Sequence, residues 1–222
     1  GYVYVADQFT IKRMRTTPGT TELVALADNY VADLVTDGIH VYWADEQFGT
    51  IYRVPVAGGT PELLSGSPPL GPVGRIRLAG DYVYWMVNDD TLRHVPKSGG
   101  TATTIATGLP FLSDFIVGAA QVFFSEWDTA DLRRVPLAGG TIRTVLNDQC
   151  WYAPCSLAQS ATDIYWVDQD SVEAVPKIGG SPLLLSHTGG SPYDANAITL
   201  DDTYVYWSDV YNMTINRVLR PD

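Results

Sequence analysis

The 222 residues carry 14 Lys and Arg against 25 Asp and Glu, a formal net charge of −11, with 45% hydrophobic and 18% charged residues. This is the composition of a chain that folds around a core, not of a disordered one, and its field repels nucleic acid and anionic lipid, so neither is an expected partner. No run of about eighteen uncharged apolar residues is present, so no membrane insertion is expected, and no charged-then-apolar stretch of signal-peptide type opens the sequence.

Taken in chain order, the sequence repeats itself. VYVAD at 3–7 is followed by VYWAD at 41–45, VYWMV at 83–87, VFFSE at 122–126, IYWVD at 164–168 and VYWSD at 205–209. The Tyr or Phe at the second place falls at 4, 42, 84, 123, 165 and 206, intervals of 38–42 residues, the period of a four-stranded propeller blade. A second element trails each copy: IKRMRTTPGT at 11–20, IYRVPVAGGT at 51–60, LRHVPKSGGT at 92–101, LRRVPLAGGT at 132–141, VEAVPKIGGS at 172–181 and INRVLRPD at 215–222. A short apolar strand follows the glycines (Pro61–Leu64, Ala102–Ile105, Ile142–Leu146, Pro182–Leu185), and another precedes each aromatic strand (Leu34–Val35, Ile76–Leu78, Phe115–Val117, Leu157–Ala158, Ile198–Leu200).

Each repeat therefore reads as four strands, a to d. Asp37-Gly38, Gly80-Asp81 and Asp201-Asp202 turn between a and b, and Gly-Gly turns between c and d, where tight hairpins need residues that accept positive φ. Val-Pro closes strand c, where the missing N–H is tolerated. No 3.6-residue period competes. The fold class is all-β, a single β-propeller domain over residues 1–222. The chain begins in a b strand and ends in a c strand, which permits two countings. One has six blades, the first and last each lacking a strand. The other has five closed blades, Ala197–Leu200 completing the first and the terminal hairpin packing elsewhere. The core character of the last b and c strands favours six.

The Tyr-Trp-x-Asp strand followed by Ile-x-Arg-Val and Gly-Gly resembles the YWTD propellers of low-density-lipoprotein receptors. It is closer to bacterial, myxobacterial secreted proteins with VYWxD and VPxxGGTP repeats. The resemblance spans nearly the whole chain and implies a fold, not a function. A weaker similarity runs to streptogramin lyases, whose resemblance would imply a metal-assisted acid–base site of His, Glu and magnesium at the channel mouth; that motif has no clear counterpart here.

Repeated chemistry is best explained by the repeat. The fourth place of the b motif reads Asp7, Asp45, Val87, Glu126, Asp168 and Asp209, and the third place of the c element reads Arg13, Arg53, His94, Arg134, Ala174 and Arg217. The acid is expected either to pair with the base on the neighbouring strand or to bond the b–c turn. Trp43, Trp85, Phe124, Trp166 and Trp207 are expected to be core between adjacent sheets. Of the three histidines, His40 and His94 occupy repeat positions, leaving His187 as the one fallback for acid–base catalysis. Cys150 and Cys155, in Cys-Trp-Tyr-Ala-Pro-Cys, suit a loop-stapling disulfide and hence an oxidising, extracellular or periplasmic compartment; free thiols of a cytosolic protein are the alternative.

What breaks the repeat points to function. The d–a connections differ in length and chemistry, and strand alternation places them beside the b–c turns. Variable loops on a uniform scaffold carry binding sites, and aromatics there make good anchors. The candidate binding residues are Trp151, Tyr152, Phe111, Trp127 and Tyr193. The reading is a secreted, non-enzymatic module that binds a protein or glycan, with no cofactor and no metal; the alternative is a lyase or hydrolase of propeller type using His187 and loop carboxylates.

Overall fold

The computed structural model describes residues 1–17, 19–66, 71–109, 111–147, 156–168, 171–188, 195–209 and 212–221. Among these residues there are twenty-two strands in six antiparallel sheets. Sheet 1 contains β1 (Tyr2–Asp7), β2 (Thr10–Arg15) and β3 (Glu22–Leu26), corresponding to b, c and d. Sheet 2 is β4 (Val31–Thr36), β5 (His40–Asp45), β6 (Ile51–Pro55) and β7 (Glu62–Ser65). Sheet 3 is β8 (Val73–Ala79), β9 (Tyr82–Val87), β10 (Thr91–Pro96) and β11 (Thr103–Ala106). Sheet 4 is β12 (Leu112–Val117), β13 (Gln121–Glu126), β14 (Leu132–Pro136) and β15 (Arg143–Leu146). Sheet 5 is β16 (Ser156–Gln159), β17 (Asp163–Val167), β18 (Ser171–Pro176) and β19 (Leu183–His187). Sheet 6 is β20 (Ala195–Leu200), β21 (Tyr204–Asp209) and β22 (Thr214–Leu219), corresponding to a, b and c. The last a strand pairs with its own b strand, Ile198 opposite Trp207.

The local chemistry explains the hairpins. All eight glycines of the four c–d Gly-Gly turns have positive φ, from 79° at Gly139 to 147° at Gly59, a backbone that side-chain-bearing residues rarely adopt. At the a–b turn of sheet 2, the Asp37 carboxylate accepts the N–H groups of Ile39 and His40 at 3.0 and 2.8 Å, the Tyr42 hydroxyl at 3.0 Å and the Lys97 ammonium at 3.2 Å. Burial would raise this carboxyl, but those donors outweigh it and hold its pKa at about 2. Burial and the same aspartate push the Tyr42 phenol up to about 12.

A pH prediction follows. Because the folded pKa of Asp37 lies below the ordinary 3.8, its contribution is full above about pH 4 and is lost as pH falls through about 2. Asp37→Asn should therefore flatten the acid limb of a melting-temperature profile over that window. Parallel acid limbs for variant and wild type would show that the turn carboxylate does not drive it.

The chain divides into two compact units, Gly1–Gly108 with sheets 1–3 and Leu109–Asp222 with sheets 4–6. Within each unit, one rule builds the core. Trp43 packs with Ile11 and Val24 of the preceding sheet. Trp85 packs with Tyr42, Ile51 and Leu64. In the second unit Trp166 packs with Phe123 and Leu132, and Trp207 with Tyr165 and Val172. In these four sheets the aromatic of the b strand thus packs against side chains of the preceding sheet, as their shared repeat position predicts.

Side chains also clamp neighbouring sheets. Arg13 Nη1 donates to the Val56 carbonyl at 2.6 Å, Arg134 Nη1 to the Lys177 carbonyl at 3.1 Å, and Arg53 Nη1 to the Lys97 carbonyl. On the a strands, Asp33 accepts the Ile76 N–H at 3.1 Å and Asp114 accepts the Leu157 N–H at 3.0 Å. These two aspartates share a repeat position, and sequence reasoning missed them because the other sheets place Arg75, Ser156 and Ala197 there.

Candidate binding surface

The turn between b and c is organised by the repeated acid. Asp45 accepts the Gln47 and Phe48 N–H groups at 2.9 and 3.1 Å and the Asn29 amide at 2.8 Å. Asp168 accepts the Ser171 N–H and hydroxyl at 2.9 and 3.1 Å, and Asp209 accepts the Asn212 N–H and side-chain amide at 2.8 Å each. Of the two arrangements the sequence left open, turn capping is the one formed. Where an acid does reach a base, the base is the residue before the repeated one: Asp7 with Lys12 at 3.0 Å and Glu126 with Arg133 at 3.0 Å. Burial pushes the Glu126 carboxyl up, against the Thr129 hydroxyl and Arg133. Arg13 and Arg53 bond Glu22 and Glu62 of strand d instead, each at 2.8 Å. His94 lies stacked on Tyr84 at 5.4 Å, an aromatic replacement for the arginine.

In sheets 2, 3 and 4 the b–c turn meets the d–a connection at one end of the sheet. The Glu46 N–H donates to the Tyr30 carbonyl, the Asn88 N–H to the Pro72 carbonyl and the Trp127 N–H to the Phe111 carbonyl, all at 2.9 Å. The expected shared edge of loops and turns is thus present in sheets 2, 3 and 4, fixed by one repeated backbone bond.

Two candidate binding residues are thereby brought together. Phe111 and Trp127 are 61% and 50% exposed, far out of the core for such large rings, and their backbones are joined by that bond. Phe111 sits at φ 36°, an outlier for a bulky residue and the kind of strain that surrounding structure must hold in place. In the first unit a second exposed pair occupies the same end: the Phe9 and Tyr30 rings lie 4.8 Å apart, with Phe48 exposed on the neighbouring turn. Phe9 could have been found from its place directly after the first b strand. Trp151, Tyr152 and Tyr193, and the proposed Cys150–Cys155 pair, lie outside the described residues.

His187 ends β19 and is exposed. With Thr188, Trp207, Asp209, Asn216 and Arg217 it lines a cleft of about 700 Å³ between β19 and sheet 6. Its ring makes no hydrogen bond to a carboxylate among the described residues. The Glu173 carboxyl, raised by burial, accepts a hydrogen bond from the Ser171 hydroxyl at 3.0 Å. No group of three His, Cys, Asp or Glu side chains suited to a metal is found among the described residues.

The sheets, their order and their packing define a β-propeller, and solved structures of that fold match it over nearly its whole length. The nidogen/laminin complex contains a chain similar with a TM-score of 0.74 at 16% identity, over 98% of this chain and 89% of that one. Virginiamycin B lyase from Staphylococcus aureus is similar with a TM-score of 0.76 at 11% identity, over 100% of this chain and 82% of that one. The computationally designed Ika8 protein follows with a TM-score of 0.62 at 12% identity, over 98% and 82%. At these identities the likeness establishes the fold alone. No family model and no curated protein matches the sequence.

Proposed function

We propose that this chain is a secreted, non-enzymatic binding module, a single six-bladed propeller domain that takes a protein partner on its d–a and b–c loop surface. The observation that carries this reading is the Phe111–Trp127 pair: large aromatics that the blade core does not use, exposed on loops whose backbones are tied together. Rigid aromatic anchors bind with little loss of conformational freedom, and they dominate protein interfaces. The acids around them favour neutral or cationic partners. A propeller fold in the nidogen/laminin complex is compatible with a protein partner. By sequence Trp151, Tyr152 and Tyr193 also fall on d–a connections, and the proposal includes them. Assignment to an extracellular or periplasmic compartment rests on the spacing of Cys150 and Cys155.

The test uses a partner identified by pull-down with the wild-type chain, with a glycan array run alongside. Phe111→Ala and Trp127→Ala should each weaken binding by about 2 kcal/mol, roughly thirtyfold, with melting temperature unchanged. Undiminished binding by both variants would move the site off this surface, and capture on the array alone would make the ligand a glycan.

A further inference from the structure

In sheets 1 to 5 strands c and d are paired, so the d residue that faces the third residue of c can be compared between them. Sheets 1 and 2 place an acid there: Glu22 faces Arg13 and Glu62 faces Arg53, each joined at 2.8 Å. Sheets 3 and 5 set Thr103 against His94 and Leu183 against Ala174. Of the five, only sheet 4 sets two cations against each other, Arg143 facing Arg134. Like charges directly opposite on a sheet are disfavoured. Neither arginine is joined to a carboxylate among the described residues.

The surroundings of this pair are donors, not acids. Arg134 is anchored, its Nη1 donating to the Lys177 carbonyl of sheet 5 at 3.1 Å, and its Nε–H is buried with no acceptor. In sheets 1 and 6 the arginine at this position lies 4.7 and 4.3 Å from the ring centroid of Tyr2 or Tyr204, the first residue of strand b. In sheet 4 that first residue is Gln121, so an amide stands where the other sheets have a ring. Gln121 and Thr141 join both arginines and Pro136 around a cleft of about 200 Å³, at the end of sheet 4 opposite Phe111 and Trp127. Neither the Gln121 amide nor the Thr141 hydroxyl bonds another group among the described residues. Every polar side chain lining the cleft therefore has a donor to offer, and no acid lines it.

We propose that this cleft binds a phosphate-type dianion between the Arg134 and Arg143 guanidiniums, with the Gln121 amide and the Thr141 hydroxyl as further donors. One carboxylate answers one arginine in sheets 1 and 2; two opposed arginines call for two charges. Guanidinium donors match phosphate oxygens in pairs, and such charge-assisted bonds are among the strongest that side chains make. The bound anion screens the arginines from each other and stabilises the folded chain. The small cleft and the net charge of −11 select a single phosphate group over a polyanion. This site shares no residue with the loop aromatics.

The test is calorimetric titration of inorganic phosphate into the full chain at constant ionic strength, in a buffer free of competing oxyanions. Binding should saturate, and acetate should bind about tenfold more weakly, having one charge where the site offers two cations. Arg143→Glu is the decisive variant. It installs the pair that sheets 1 and 2 already have, so phosphate binding should be lost while the melting temperature in phosphate-free buffer rises. Arg143→Gln, which removes a cation without adding an acid, should weaken phosphate by about tenfold, and Phe111→Ala should leave it unchanged. Phenyl phosphate distinguishes the source: binding tighter than that of inorganic phosphate makes the ligand a phosphoryl group on a larger molecule, and weaker binding makes it the free ion. Binding that does not saturate, equal binding of acetate, or phosphate binding undiminished by Arg143→Glu overturns the proposal. So does a melting temperature that falls with Arg143→Glu, since the opposed arginines would then not be repelling each other.

Discussion

Trp85→Ala should lower stability by about 3–5 kcal/mol, the range for emptying a large aromatic site in a packed core, and a loss of that size lowers the melting temperature by about 6–20 °C in a chain of this length. The indole is fully buried and touches side chains from two sheets, so its removal leaves a void that neither sheet can collapse into alone. Trp127→Ala is the matched control. It deletes the same side chain from an exposed turn and should change stability by no more than about 0.5 kcal/mol. Chemical denaturation followed by circular dichroism separates the two. Equal midpoints for both variants would mean that the repeated aromatic is not what holds adjacent sheets together.

The contrast between those two tryptophans is also the measure of how far the sequence could be read. Trp85 recurs in register with Trp43, Phe124, Trp166 and Trp207, and a side chain required at one place in every repeat must serve the repeat. Period and turn chemistry together gave the strand count and the Gly-Gly hairpins, because each depends on residues close in sequence, whereas the partner of the last a strand stayed open between two countings. Trp127 and Phe111 stood out for the opposite reason, as large rings where the repeat needs none. Contacts between sheets were less legible. Asp33 and Asp114 each reach an N–H 43 residues away, and nothing local marks them.

Asp45→Ala should destabilise the chain by about 1–3 kcal/mol through the loss of buried, charge-assisted hydrogen bonds, without weakening a partner held by the loop aromatics. The carboxylate is nearly inaccessible and accepts three donors, two from the backbone of its own turn and one from Asn29 on the preceding d–a loop. Removing it leaves the Gln47 and Phe48 N–H groups to find water at the edge of the sheet. Asp45→Asn should recover part of the loss, since an amide oxygen can still accept from the turn but without the charge. Asp168→Ala should fall in the same range, because Asp168 caps its turn through Ser171. The repeated acid thus acts on stability, whereas a ring of carboxylates gathering a ligand would act on affinity. Measuring both quantities on the same two variants decides between them: lost binding at an unchanged melting temperature would assign these aspartates to the ligand and not to the turn.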